Sequence, residues 1–181
     1  MSFNLSELFE RVADAVGDRD AVVLLNERLT YAALDARANR VAHHLAARGI
    51  GPDDHVGLML RNGTEYLEVM LGCFKLRAVP VNINYRYVER ELDYLYNHTE
   101  LVAVIYHRQY ARLVAEVAPR VSSLKRLREV DDGSGPPTLG VAQYESSIAE
   151  ASPDRDLITR QSADLYCACT GGTTGLPKGV L

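Results

Sequence analysis

The chain has 181 residues, 47% of them hydrophobic and 24% charged, with a formal net charge of −4. That balance allows a buried core and leaves no basic footprint for DNA or RNA, so nucleic acid is not an expected partner. Cys73, Cys167 and Cys169 are an odd number without C-x-x-C spacing, which argues against a disulfide framework or zinc site and for a cytoplasmic setting.

Acids among the apolar residues of "MSFNLSELFERVADAV" distinguish the start from a signal peptide, and no apolar run approaches the length of a membrane span. Asn62-Gly63-Thr64 and Asn97-His98-Thr99 are then chance matches to a glycosylation triplet. Leu5, Leu8, Phe9, Val12 and Val16 recur at helical spacing, and Asn4 with Glu7 makes a capping box for that helix. Residues 21–26 and 28–30 bracket a tight connection and read as a hairpin. Thr30 is the N-cap of a second helix striped by Tyr31, Leu34, Ala38, Val41 and Leu45, with Gly49 as its expected terminator.

From there the pattern alternates. Strands are predicted at 55–60, 78–83 and 101–106, the last apolar enough to be buried on both faces. Helices are predicted around Tyr66 to Phe74, Val88 to Tyr96 and Tyr110 to Val117. Repeated strand–helix units predict an α/β fold, a doubly wound, mainly parallel sheet with helices on both faces. Residues 1–130 read as a first α/β subdomain. Residues 131–163 form a linker-rich segment that opens with "DDGSGPPTLG" and holds a short helix near Tyr144 to Ala149. Residues 164–181 supply a strand, "DLYCACT", and a glycine loop that open the next subdomain.

The loop, "TGGTTGLPKG" at 170–179, carries the chemistry. Gly171, Gly172, Gly175 and Gly179 let consecutive backbone N–H groups converge on one anion. Thr170, Thr173 and Thr174 add hydroxyl donors, and Lys178 adds a mobile positive charge suited to phosphate oxygens. A flexible linker has no use for that lysine. A P-loop is excluded, since Leu176 and Pro177 break the spacing and Gly179 stands where the metal-binding hydroxyl belongs. A dinucleotide-binding domain is disfavoured because no G-x-G-x-x-G follows an early strand.

These residues resemble the adenylate-forming superfamily: acyl-CoA synthetases, aryl-CoA ligases, luciferases and peptide-synthetase adenylation domains. The loop is similar to its phosphate-binding signature, "LTYAALDARANRVAHHL" (29–45) to its first conserved helix, and "LGCFKLRAVPVNIN" (71–84) to its second motif. The resemblance spans the whole chain, which corresponds to roughly the first third of a member and to the N-terminal part of the large adenylation domain. It implies a ligase that activates a small-molecule carboxylic acid with Mg2+ and ATP to an acyl-adenylate, then forms a thioester with coenzyme A. Thr170, Gly171, Gly172, Thr173, Thr174, Gly175 and Lys178 would hold the ATP phosphates, with Lys178 an electrostatic clamp. The resemblance places the catalytic lysine, magnesium carboxylate, adenine site and acyl pocket beyond residue 181, so the 181 residues alone are expected to be inactive. Gly171 replaces the usual serine and Cys169 a common aromatic; the "TGGTTG" form resembles bacterial fatty-acyl and steroid-side-chain acyl-CoA synthetases. The competing expectation is a non-catalytic module that binds ATP or a partner protein.

Other conspicuous residues have plainer readings. Cys167 and Cys169, on one face of a strand, are read as buried thiols. His43 and His44 are read as partly solvated surface residues. Tyr85, Tyr87, Tyr94 and Tyr96 are read as packing between a strand end and the next helix, and "VERELDY" as a solvated helix face.

Overall fold

The computed structural model describes residues 4–25, 27–162, 164–170 and 178–180. The first helix, α1 (Leu5–Val16), starts where its capping box predicts: the Ser6 N–H donates to the Asn4 side chain at 2.7 Å and the Asn4 N–H to Glu7 at 3.2 Å. β1 (Asp20–Val23) and β2 (Arg28–Thr30) pair as the expected antiparallel hairpin. The Thr30 hydroxyl then caps α2 (Tyr31–Ala46) by accepting from the Ala33 N–H at 3.2 Å. This helix ends three residues before Gly49, whose φ of +78° turns the chain toward the sheet.

Five parallel strands form the centre: β3 (His55–Met59), β4 (Val79–Asn82), β5 (Ala103–His107), β6 (Arg126–Val130) and β7 (Ala142–Gln143), in the order β4-β3-β5-β6-β7. The crossovers are α3 (Thr64–Leu76), α4 (Glu89–His98) and α5 (Ala111–Val117), while α6 (Tyr144–Ala149) follows β7. All five residues of β5 are buried, as its apolar run predicts. Ala103 and Ile105 join Val41 and Leu45 of α2, Val69 and Cys73 of α3 and Ile148 of α6 in one core; Val104 and Tyr106 join Leu92 and Leu95 of α4 and Val114 and Val117 of α5 in another. One apolar layer on each face is what makes the sheet doubly wound.

The two inner helices of the first layer meet at Gly72, where a Cβ would lie 2.9 Å from that of Val41 and 3.1 Å from the Ala38 carbonyl oxygen. β6 is a strand that apolar alternation does not announce, because Arg128 and Glu129 are both buried in it. "DDGSGPPTLG" joins β6 to β7 within one sheet, and its Thr138 hydroxyl donates to Glu129. Residues 150–162 then run back across α1, α2 and α3, held by Arg155 on Asp35 (2.7 Å) and Arg160 on Glu10 (2.8 Å), and Asn4 donates to Asp164 (2.6 Å). No helix among the described residues is long and apolar enough to cross a membrane.

Candidate functional site

The strand that leads into the glycine loop attaches to the free edge of the sheet. Cys167 forms a parallel bridge with Val81 of β4: its N–H donates to the Pro80 carbonyl at 3.0 Å, and its carbonyl accepts from the Asn82 N–H at 3.2 Å. β8 (Ala168–Thr170) follows that bridge and pairs antiparallel with β9 (Lys178–Val180), with Ala168 opposite Val180, Cys169 opposite Gly179 and Thr170 opposite Lys178. The main chains of Thr170 and Lys178, the first and last donors of the expected phosphate cradle, are therefore brought together. Gly171, Gly172, Thr173, Thr174 and Gly175 lie outside the described residues.

Local packing explains the residues that flank the loop. A Cβ on Gly179 would stand 3.2 Å from Cys167 Sγ and 3.6 Å from Thr99 Cγ2, so the last glycine of the motif lets β9 lie flat against the strand before it. Cys167 is buried and Cys169 half-buried, in agreement with the buried-thiol reading, and both belong to the core shared with α4. Burial, reinforced by the neighbouring Cys167 sulfur, pushes the Cys169 thiol up to about 12. Both sulfurs are thus neutral thiols at ordinary pH, poor metal ligands and poor nucleophiles. Among the described residues no group of three or more His, Cys, Asp or Glu is placed to hold a metal ion.

The carboxyl edge of the sheet gathers further groups that sequence periodicity does not single out. The chain leaves β3 for β4 on one side and returns to β5 on the other, so a topological switch point lies between β3 and β5. There the Arg61 N–H donates to His107 Nδ1 at 3.0 Å, which leaves the ring proton on Nε2. Burial lowers the His107 pKa and Arg61 lowers it further, against the opposing pull of Asp132. Beside them the Tyr85 and Tyr110 rings stack with centroids 6.0 Å apart, and Arg86 sits 5.8 Å from the Tyr85 centroid. Arg108 is turned away from this mouth, onto Glu129 at 2.8 Å and Asp131 at 2.7 Å. The Tyr87 hydroxyl is buried without a hydrogen-bond partner among the described residues, at a position where Cys169 raises its pKa after burial does. An orphaned donor beside the strand that carries the loop is the kind of group that a polar ligand satisfies.

Two readings of single residues are settled by these contacts. Tyr87 and Tyr96 pack in the core between β4 and α4, as expected, while Tyr94 stacks on His98 at 5.2 Å. His44 departs from expectation: it is only 4% exposed and accepts from Arg128 Nε at 2.8 Å, because β6 and α6 cover the face of α2 that the helical stripe leaves open. His43 remains at the surface, against Asp156 at 3.1 Å.

Comparison with known proteins agrees with this geometry. The family model described as AMP-binding enzyme matches residues 9–181. The chain belongs to the AMP-binding enzyme family. Among relatives of this family, a 3-oxocholest-4-en-26-oate–CoA ligase of Rhodococcus rhodochrous is 42% identical over 183 residues, covering 100% of this chain and 33% of the relative. A medium/long-chain-fatty-acid–CoA/3-oxocholest-4-en-26-oate–CoA ligase of Mycobacterium marinum is 44% identical over 187 residues, covering 100% and 34%. The crystal structure of the anthranilate CoA ligase AuaEII in complex with anthranoyl-AMP superposes with a TM-score of 0.92 at 21% identity, over 99% of this chain and 34% of that one, a likeness of fold. This AMP-binding chain thus spans about a third of the length of the curated relatives it matches.

Proposed function

We propose that this chain serves as the N-terminal portion of an AMP-forming acyl-CoA synthetase: a ligase that joins a carboxylic acid to ATP as an acyl-adenylate with release of pyrophosphate, then transfers the acyl group to coenzyme A. The observation that carries the reading is the hairpin β8–β9: its first strand follows a parallel bridge to β4, so it runs toward the carboxyl edge of a doubly wound sheet, and it pairs Thr170 with Lys178, which bound the rest of the motif. Ligands of open α/β sheets gather at that edge. The donor set fits a polyphosphate: glycine N–H groups and the threonine hydroxyls take its oxygens, while the Lys178 ammonium opposes the charge that grows on departing pyrophosphate. Mg2+, where bound, neutralises part of that charge, and we assign it no ligand among these residues. Names of the relatives support an apolar acyl substrate, of the fatty-acid or steroid-side-chain class. The net charge of −4 supports small-molecule partners over nucleic acid.

The test is Lys178→Ala in the complete protein. Carboxylate-dependent ATP–pyrophosphate exchange is expected to fall on the order of tenfold to a thousandfold, the range for loss of one electrostatic donor. Thioester formation from supplied acyl-adenylate is expected to change far less. Equal losses in the two half-reactions would refute the clamp. The 181-residue chain by itself is expected to give no exchange.

A further inference from the structure

Among the described residues three cations are buried, and two of them come with carboxylates: Lys75 faces Glu10 and Asp35, and Arg108 faces Glu129, whereas Arg128 has none. Arg128 is 8% exposed; its Nε donates to His44 Nε2 at 2.8 Å and its Nη1 to the Leu127 carbonyl at 2.6 Å, while Nη2 meets no acceptor among the described residues. Arg48 and Arg126 both repel it. Arg126 shares its face of β6, two residues before it. Arg48 follows the end of α2 and donates from Nη1 to the His44 carbonyl at 3.2 Å. Neither exposed arginine has a carboxylate partner among the described residues.

Beside His44 a cleft of about 330 Å3 is lined by His43, His44, Ala47, Arg48, Ser147, Glu150 and Ala151; of the three arginines only Arg48 reaches its wall. His44 is held neutral: burial first, then Arg128 and Arg48, bring its pKa down to about 4, against a hydrogen bond to the Ser147 backbone. Of the acids nearby, Glu150 lines the cleft without an ion pair among the described residues, and Asp156 is engaged by His43. Arg48, Arg126 and Arg128 therefore stand together without an ion pair among the described residues, and Glu150 shares a cleft only with Arg48. The last carbonyls of α2 offset part of the excess and leave Nη2 of Arg128 unanswered.

We propose that Arg48, Arg126 and Arg128 form a binding site for a phosphate-class anion at the amino edge of the sheet, on the face that α2 covers. A phosphate accepts several N–H bonds from planar guanidinium forks, which Arg supplies better than Lys. The amino ends of β3 and β6 and the carboxyl end of α2 put this site apart from the proposed polyphosphate cradle, so the two are separable by mutation. A soluble phosphomonoester and a phospholipid headgroup present the same chemistry.

The experiment uses the complete protein with inorganic phosphate as probe, at ionic strength fixed with chloride. Phosphate is expected to raise the melting temperature saturably, by about 2–5 °C at a hundred times its dissociation constant. It is also expected to raise the His44 imidazole pKa, followed by NMR, by about one unit as the field of the arginines is neutralised. In the Arg48→Gln/Arg126→Gln double variant, altered only at exposed positions, both responses should vanish. Arg128→Met should melt no lower than wild type without phosphate, since an uncompensated buried charge has gone, and should not respond to phosphate. Sedimentation with vesicles of anionic phospholipid, lost in the double variant, would name a headgroup as the source; saturation by phosphate without sedimentation would name a soluble anion. A phosphate response equal to that of chloride, or one that survives in the double variant, would overturn the proposal.

Discussion

Lys75→Met tests whether the charge network under the helical layer holds the amino-terminal elements to the sheet. Lys75 is completely buried on α3, where its ammonium donates to Glu10 of α1 and, at 2.8 Å, to Asp35 of α2. Methionine keeps the volume and removes two charge-assisted hydrogen bonds, each worth about 1.5–3 kcal/mol. Two terms reduce the loss: the ammonium no longer has to be desolvated, and each carboxylate keeps an arginine, Arg160 at 2.8 Å for Glu10 and Arg155 at 2.7 Å for Asp35. The expected net cost is about 3 kcal/mol, the lower end of the range for breaking a buried pair. Native-state hydrogen exchange in the complete protein reads it as a drop on the order of a hundredfold in protection of α1 and α2 amides at pH 7. The pH dependence supplies a second check. Burial alone would raise the Asp35 carboxyl, yet Lys75 and Arg155 hold it below its ordinary value. A depressed carboxylate contributes stability above its unfolded pKa and loses it as pH falls through the folded one, so the gap between wild type and variant should narrow below about pH 4. Protection within threefold of wild type at pH 7 would refute the idea that these bonds clamp the layer.

Gly72→Ala reverses the usual sign of a helix substitution. The gain of about 1 kcal/mol in propensity is set against a Cβ 2.9 Å from that of Val41 and 3.1 Å from a backbone oxygen, overpacking that costs about 1–3 kcal/mol. Thermal unfolding should therefore show net destabilisation, and a higher melting temperature would contradict the α2–α3 contact. His44 makes the fold acid-sensitive: with a folded pKa of about 4 against 6.5 unfolded, the unfolded chain binds the extra proton between those values. Stability should fall by up to about 3 kcal/mol as pH drops from 6.5 to 4, and His44→Gln should flatten that part of the profile.

What could be read from the residues in order were the features whose causes are local. Asn4 with Glu7 and Thr30 cap their own helices within three residues, and the apolar run at 101–106 needs no partner to declare a strand buried on both faces. The glycine loop is also local: its expected donors are neighbours in the chain, and the phosphate chemistry proposed for it rests on that motif. The family followed from three such stretches in order. Tertiary structure decided where charge goes. Arg128 and Glu129 make 126–130 look like a surface segment, but Glu129 is neutralised by Arg108 from β5's far end, and Arg128 finds His44 84 residues away. His44 likewise looks solvated until β6 and α6 close over α2. The end of the linker-rich segment 131–163, and Asp164 after it, look unattached in sequence because the partners of Arg155, Arg160 and Asp164, namely Asp35, Glu10 and Asn4, lie 120, 150 and 160 residues back. Periodicity reports which face of an element is apolar, but a buried ion is stable only beside a partner from elsewhere in the chain, and no spacing within the element records that partner.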